Sequence, residues 1–364
     1  MADTRTPLGE LHEKAGATLV RRGEFEVPAS FTRPESEYQA MRKVAGIIDL
    51  CAAPRFKLQG VQRVEALDFL ATINVEGIGM NRARAGYLCN EHGGVVDEVI
   101  ILKTEQYLLV QGTSTDRAGL NAWVEEHLRE FDVEFVESTT TQGCIEVRGP
   151  MARTILDAVL LDGSPPPDVG SATICAIGQA RCLVTRRRHA NMDSYLLHTG
   201  AFFLQPLWER LSMTGQNMGA APVGWNAQEI LRIEAGIPGF GTEIDSDTTP
   251  MELGTANRLD FSKDDYLGRR ALMHQSCAEF SRRMVALRFE AAHPLERDML
   301  LEFESMPVGR ITSATTLPNQ RVTAALGFVD ALKSQTGSTL QARARTHVLS
   351  GKVVDPFTTE TPAG

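Results

Sequence analysis

Residues 90–102, "NEHGGVVDEVIIL", set two carboxylates, Asp97 and Glu98, inside an apolar run that follows a Gly-Gly turn. A carboxylate in such a place can hold a developing positive charge or shuttle a proton. Val95, Val96, Val99, Ile100, Ile101 and Leu102 favour a strand. Strand side chains alternate between faces, so the adjacent acids point opposite ways. One can be solvated while the other faces a core, where an unpaired charge is costly. An edge strand with both acids wet is the plainer alternative. A second acid group lies at "ILRIEAG", where Glu234 sits near the end of a short helix that Asn226 and Glu229 open with capping-box spacing. Arg232 is expected to pair locally. Arg186, Arg187 and Arg188 form either a solvated face or a basic lip that attracts an acidic ligand.

Around these residues the chain reads as α+β, because strands and helices mix without regular βαβ alternation. "EYQAMRKVAGIIDL" (37–50) reads as helix, "RFKLQG" (55–60) as a strand and "VQRVEALDFLATI" (61–73) as helix. "QYLLVQG" (106–112) is close enough to the acid-bearing strand to pair with it as a hairpin. "STDRAGLNAWVEEHL" (114–128) is an amphipathic helix with Leu120, Trp123, Val124, His127 and Leu128 on one face, so His127 reads as a packed histidine. The Pro/Gly-rich "GSPPPDVGS" (163–171) is a surface loop, and after "ALMHQSCAEFSRRM" the chain becomes strand-rich, with a boundary expected near residue 280.

Composition removes several function classes. The chain has 364 residues, 43% of them hydrophobic and 23% charged, enough for two or three domains with ordinary cores. A formal net charge of -9 argues against a general nucleic-acid or anionic-membrane binder. The N-terminal stretch has no apolar h-region and no run of eighteen apolar residues occurs, so a cytoplasmic location is expected. The six cysteines lack a CxxC pair and read as reduced, mostly buried thiols; Cys175 and Cys182 have the wrong spacing for a zinc knuckle. No Walker loop, GxGxxG, HExxH or GxSxG motif is present.

Six segments in order resemble the aminomethyltransferase (glycine-cleavage T-protein) family of tetrahydrofolate-dependent one-carbon transferases. They are "TPLGELHEKAGATLV", "MRKVAGIIDL", "AGYLCNEHGGVVDEVIIL", "EVRGPMA", "ILRIEAGIPGFGTEIDSDTTPMELG" and "YLGRRAL". "GRITSATTLP", "AALGFVD" and "GKVVDPF" are similar to the family's C-terminal barrel. The resemblance implies a three-domain cloverleaf: two discontinuous α+β domains and a C-terminal β-barrel around a central folate channel. Its implied divisions are 1–50 with 140–225, 51–139 with 226–280, and 281–364. It implies tetrahydrofolate as the cofactor, with no metal or flavin. It also gives the strand acids a ligand, since the family's second acid here is Asp and reaches the pterin side of folate, whereas this chain has Asp97 then Glu98. Motif position favours Glu98 as the channel acid. By the same resemblance Glu234 grips the pterin's aminopyrimidine edge through paired hydrogen bonds. Tyr87 matches an aromatic position of the family and either lines the channel or is a core tyrosine, Gln111 stands where a polar residue meets folate, and Glu252 stands where demethylase-type members carry an acid.

Two departures from the family shape the expected activity. "VTRRRHANMDSYLLH" (184–198) has Arg188, His189, Ala190, Asn191 and Met192 where T-proteins carry Gly-Tyr-Thr-Gly-Glu, and a turn that loses two glycines cannot keep a tight path without strain. "KDDYLG" lacks the Gly-Cys of the iron–sulfur-assembly branch. The leading expectation is therefore a demethylase moving a methyl group from a small methylated substrate to tetrahydrofolate. The alternatives are the glycine-cleavage aminomethyltransferase, with a lipoylated carrier protein as partner, and a non-catalytic folate-binding assembly factor or sensor. No nucleic-acid or membrane partner is expected.

Overall fold

The computed structural model describes residues 5–277, 281–290, 292–343 and 348–355, so the boundary expected at residue 280 lies outside the described residues. Three larger sheets organise them, beside a two-stranded pair, Thr18–Arg22 with Phe25–Ser30. A six-stranded sheet runs in the order Ala172–Ile177, Ala180–His189, Met192–Gly200, Gln142–Arg148, Gly46–Asp49 and Ala221–Pro222. A five-stranded sheet runs Arg82–Cys89, Val95–Lys103, Leu108–Gly112, Arg55–Gln59 and Glu134–Glu137. Six further strands, from Arg282–Phe289 to Val348–Val354, close into a barrel. The chain thus leaves the first sheet after Asp49, builds the second, and returns to the first at Gln142. This is the α+β cloverleaf architecture with a C-terminal barrel.

Each unit has its own core. Ile145, Val147, Tyr195 and Leu197 point from the six-stranded sheet onto the helices Ala152–Val159 and Leu204–Asn217. Val99, Ile101 and Val110 point from the five-stranded sheet onto Arg63–Leu70 and Arg117–His127. Full burial of a Val or Ile side chain contributes about 1.5–3 kcal/mol, so this alternation fixes which face of each sheet is inward. Asp116 caps the Arg117–His127 helix, its side chain accepting from the Gly119 amide at 2.9 Å. The helix Trp225–Ala235 packs on the helix Pro34–Lys43 and the strand Phe25–Ser30, and also touches the barrel strands Met306–Thr316 and Thr323–Asp330. It therefore shares its core with the first sheet's unit and the barrel.

Local expectations are corrected in two places. Residues 37–50 are not one helix: the helix ends at Lys43 and Gly46–Asp49 is a strand, where Ile47 and Ile48 are fully buried. Asn226 and Glu229 form no capping box. The cap is Gly224, which sits so close to the Ala29 carbonyl that a Cβ would lie 2.5 Å from its oxygen, and Glu229 instead pairs with Arg232 at 2.8 Å. The 188–192 turn stays tight despite its lost glycines. Ala190 and Asn191 both adopt left-handed backbone, φ 50° and 59°, between paired His189 and Met192. Ala has no polar side chain to offset that conformation, so the turn carries strain of about 1–2 kcal/mol.

Candidate active site

The strand Val95–Lys103 separates its two acids as alternation requires. Asp97 shares the face of Val99 and Ile101 and is fully buried. It is not a bare charge. Its carboxylate accepts from the Thr113 and Ser114 amides at 3.0 Å each and from the Ser114 hydroxyl at 2.9 Å, tying down the loop before the Arg117–His127 helix. Burial pushes its pKa up to about 7, against the lowering effect of those hydrogen bonds. The reading with both acids wet is thereby overturned.

Glu98 takes the opposite face, shared with Ile100, which lines a cleft between the two sheets. Its carboxylate meets the Arg258 guanidinium at 2.6 Å, with both side chains 18% exposed. Arg258 in turn lies 5.5 Å over the Tyr87 ring, and Tyr87 is the cross-strand partner of Glu98. The Tyr87 hydroxyl donates to Thr255 Oγ1 at 3.0 Å, and burial raises its pKa to about 12. Tyr87 is a core tyrosine that supports Arg258 from beneath, its phenol kept neutral.

Across the cleft, the first sheet presents a buried charge cluster. Glu146, fully buried, accepts from Arg148 Nε at 2.9 Å, from the Arg148 terminal nitrogen, from Arg187 at 3.0 Å and from the Ser194 hydroxyl. Burial opposes its charged form, but Arg148 and Arg187 outweigh it and hold the carboxyl far below the usual range. His189, at the end of the same strand as Arg187, is pushed well below the ordinary imidazole value by burial and then by Arg148 and Arg187, so it is neutral at pH 7. Arg258 also acts on His189 electrostatically, which links the Glu98 pair to this wall. Between the walls lies a cleft of about 240 Å³ whose charged lining is Arg84, Arg186, Arg187, Arg188, Arg258 and Asp260. The arginine run is thus a lip on this cleft.

The remaining expected site residues divide. Glu234 lies near the far end of the same wall: Ala190, next to His189, packs in a cluster with Tyr38, and Tyr38 is hydrogen-bonded to Glu234. One carboxylate oxygen of Glu234, Oε2, is buried without a hydrogen-bond partner, with Arg42 Nε 3.7 Å away. Gln111, on the cleft face opposite Ile100, is spent on a tie between the sheets, its Oε1 facing His198 Nε2 at 2.7 Å. His198 is neutral there, its pKa pushed down to about 3 by burial and then by Arg55. Glu252 is likewise spent. It accepts from the Thr249 amide at 2.9 Å and pairs with Arg282 of the barrel at 2.7 Å, and it does not line the cleft.

Sequence reasoning missed Arg258, Arg84 and the Glu146 cluster. Arg258 and Arg84 carry no periodic signal. Glu146 and Arg148 did carry one: in Cys144-Ile145-Glu146-Val147-Arg148 the charges alternate with residues of the apolar core, which places both on one face.

Residues 8–263 match the family model described as the GCVT N-terminal domain. An aminomethyltransferase of Saccharopolyspora erythraea is 28% identical over 354 residues, covering 96% of each chain. One of Desulfitobacterium hafniense is 27% identical over 352 residues with the same coverage. Among solved structures, the glycine cleavage system aminomethyltransferase T of Bartonella henselae has the same fold, with a TM-score of 0.87 at 22% identity over 97% of this chain and 98% of that one. No helix among the described residues is long and apolar enough to cross a membrane.

Proposed function

Because the chain belongs to the GCVT (aminomethyltransferase) family, we propose that it is a tetrahydrofolate-dependent one-carbon transferase, with aminomethyl transfer from a lipoylated carrier protein as its reaction. The observation that carries the reading is the buried Glu234 oxygen without a hydrogen bond. That oxygen has only a long ion-pair contact, 3.7 Å to Arg42 Nε, and an aminopyrimidine edge offers the paired donors that would give it hydrogen bonds. Bound tetrahydrofolate supplies the nitrogen pair that accepts the carbon unit. Glu98 serves as the carboxylate beside the reacting nitrogen, stabilising positive charge there or holding a transferred proton. Arg258 positions Glu98, and the Tyr87 ring limits where Arg258 can move. His189, whose imidazole is held well below its ordinary pKa by burial and the neighbouring arginines, is a weak base, and Glu146 is taken up by Arg148 and Arg187.

A second reading, demethylation of a small methylated substrate, is favoured by one observation. Met192, buried at 7% exposure, stands where T-proteins carry a glutamate, so that position offers no charge to an aminomethyl ammonium group. The test is calorimetric titration with tetrahydrofolate, alongside turnover of aminomethyl-lipoylated carrier to ammonia and methylene-tetrahydrofolate. Glu234→Gln should weaken folate binding about tenfold or more. Glu98→Gln should lower kcat by about a hundredfold while binding persists. Parent protein that binds no folate would sink both readings; folate binding with turnover only of methylated donors would select the second.

A further inference from the structure

Among the described residues five cysteines are free and buried, and two of them face each other. Ala172–Ile177 and Ala180–His189 form a hairpin across residues 178–179, and its register sets Cys175 directly opposite Cys182. Both side chains point into the core shared with Ile177, Ala180 and Val184, and Cys175 acts electrostatically on Cys182, so the sulfurs are neighbours. Directly opposed residues of an antiparallel pair lie about 4.5–5.5 Å apart at Cα, inside the roughly 4.4–6.8 Å that a disulfide accepts. Their Cβ atoms, about 4.5–5.5 Å apart in such pairs, need to approach by about 1 Å. Cys175 lies on the outermost strand of its sheet, where the Pro/Gly-rich segment 163–171 straps over it. Gly163, at φ 85°, passes so near that a Cβ there would lie 3.4 Å from Cys175 Sγ. The Cys175 thiol donates to the Ser164 carbonyl at 3.3 Å, which also accepts from Thr173 Oγ1 at 2.9 Å. The far end of the strap belongs to the cleft. Val169 and Gly170 line it, Arg186 donates to the Pro167 carbonyl, and the Gly170 amide donates to the Arg186 carbonyl at 2.7 Å.

We propose that Cys175 and Cys182 are a reversible oxidation site, whose intramolecular disulfide loosens the strap and with it one wall of the cleft. The co-reactant is a small-molecule disulfide. When the strap lifts, the Cys175 thiol loses its proton, and its thiolate attacks one sulfur of the reagent and expels a first thiolate. The Cys182 thiolate then attacks the Cys175 sulfur of the mixed disulfide and expels the second. One S–S bond breaks and another forms, the two thiol protons pass to the two released thiolates, and the reagent takes up the two electrons that the protein loses. Burial raises the pKa of both thiols, that of Cys182 to about 12, so neither forms thiolate under a closed strap and exchange waits on its opening. Once oxidised, the Cys175 sulfur has no proton to donate to the Ser164 carbonyl, and Thr173 is left as the side-chain donor at that end of the strap.

The test incubates the full chain with oxidised glutathione, with Cys175→Ser and Cys182→Ser alongside. Mass spectrometry of the parent should show the loss of two hydrogens, mapped by digestion to a Cys175–Cys182 link and reversed by dithiothreitol. Neither variant should form it. Amide hydrogen exchange over residues 163–171 should quicken by about tenfold or more in the oxidised parent and stay unchanged in the treated variants. Calorimetric titration with tetrahydrofolate then reads the cleft wall, where the oxidised parent should bind about fivefold more weakly than the reduced one. Thiols still free after incubation, a link to another cysteine, or a Cys175–Cys182 link that leaves exchange over 163–171 unchanged would overturn the proposal. Quickened exchange with equal folate affinity in the two states would overturn the coupling to the cleft. A reduced parent that binds no tetrahydrofolate would remove the one-carbon reading, while the link and the exchange still decide the oxidation site.

Discussion

Glu146→Gln is the perturbation whose cost can be worked most directly from the geometry. The parent carboxylate is fully buried and answers two guanidinium groups and one hydroxyl. Gln keeps the volume and one acceptor oxygen, but its amide nitrogen then opposes a guanidinium donor. Removing one member of a buried ion pair costs about 3–5 kcal/mol, and the retained acceptor places this variant near 3. At a urea dependence of about 2 kcal/mol per molar, the midpoint of the first unit should fall by about 1.5 M. Trp208, in that unit's core, supplies a fluorescence signal. The sign of the pH effect follows from linkage. Glu146 is held below its unfolded pKa, so its stabilisation is fully present above the unfolded value and is lost as pH falls towards the folded one. The gap between parent and variant should therefore be full at pH 7 and narrow below about pH 4. A midpoint within about 0.3 M of the parent at pH 7 would refute the reasoning, because the cluster would then contribute no more than a solvated pair.

Two further perturbations address the acid-bearing strand. Asp97 has its pKa raised to about 7 by burial, the opposite sign: between about pH 4 and about 7 the folded state holds a proton that the unfolded state has released, so stability falls as pH rises through that window. Asp97→Asn keeps an acceptor for the Thr113 and Ser114 amides and should flatten that part of the stability profile; parallel profiles for parent and variant would contradict the burial argument. Gly94→Ala would set a Cβ 1.8 Å from the Ser246 carbonyl oxygen, prising apart the turn and the loop that the Val95 amide joins to Thr248. A loss of about 1–3 kcal/mol in a thermal melt is expected, and an unchanged melting temperature would show that the loop yields freely.

The strands, their alternation and the family segments are local patterns, so a reader of the chain alone could place Asp97 and Glu98 on opposite faces of one strand. The Val95–Lys103 and Leu108–Gly112 hairpin was legible for the same reason, since it depends on residues close in sequence. Motif position favoured Glu98, but alternation alone left open which acid turns away from the core. That depended on the helices Arg63–Leu70 and Arg117–His127 covering the Val99 and Ile101 face, leaving Glu98 to the other. Nor could sequence alone show that Gln111 and Glu252 are spent on His198 and Arg282, which come from other parts of the fold. Glu98 meets its cation only because a loop far along the chain brings Arg258 against it, and Glu146 is neutralised by Arg187 from another strand of its sheet. Periodicity records how neighbouring residues share a face, because backbone geometry repeats over a few residues. The pairing of charges across sheets is set by how whole units pack, and that left no pattern in the order of the residues.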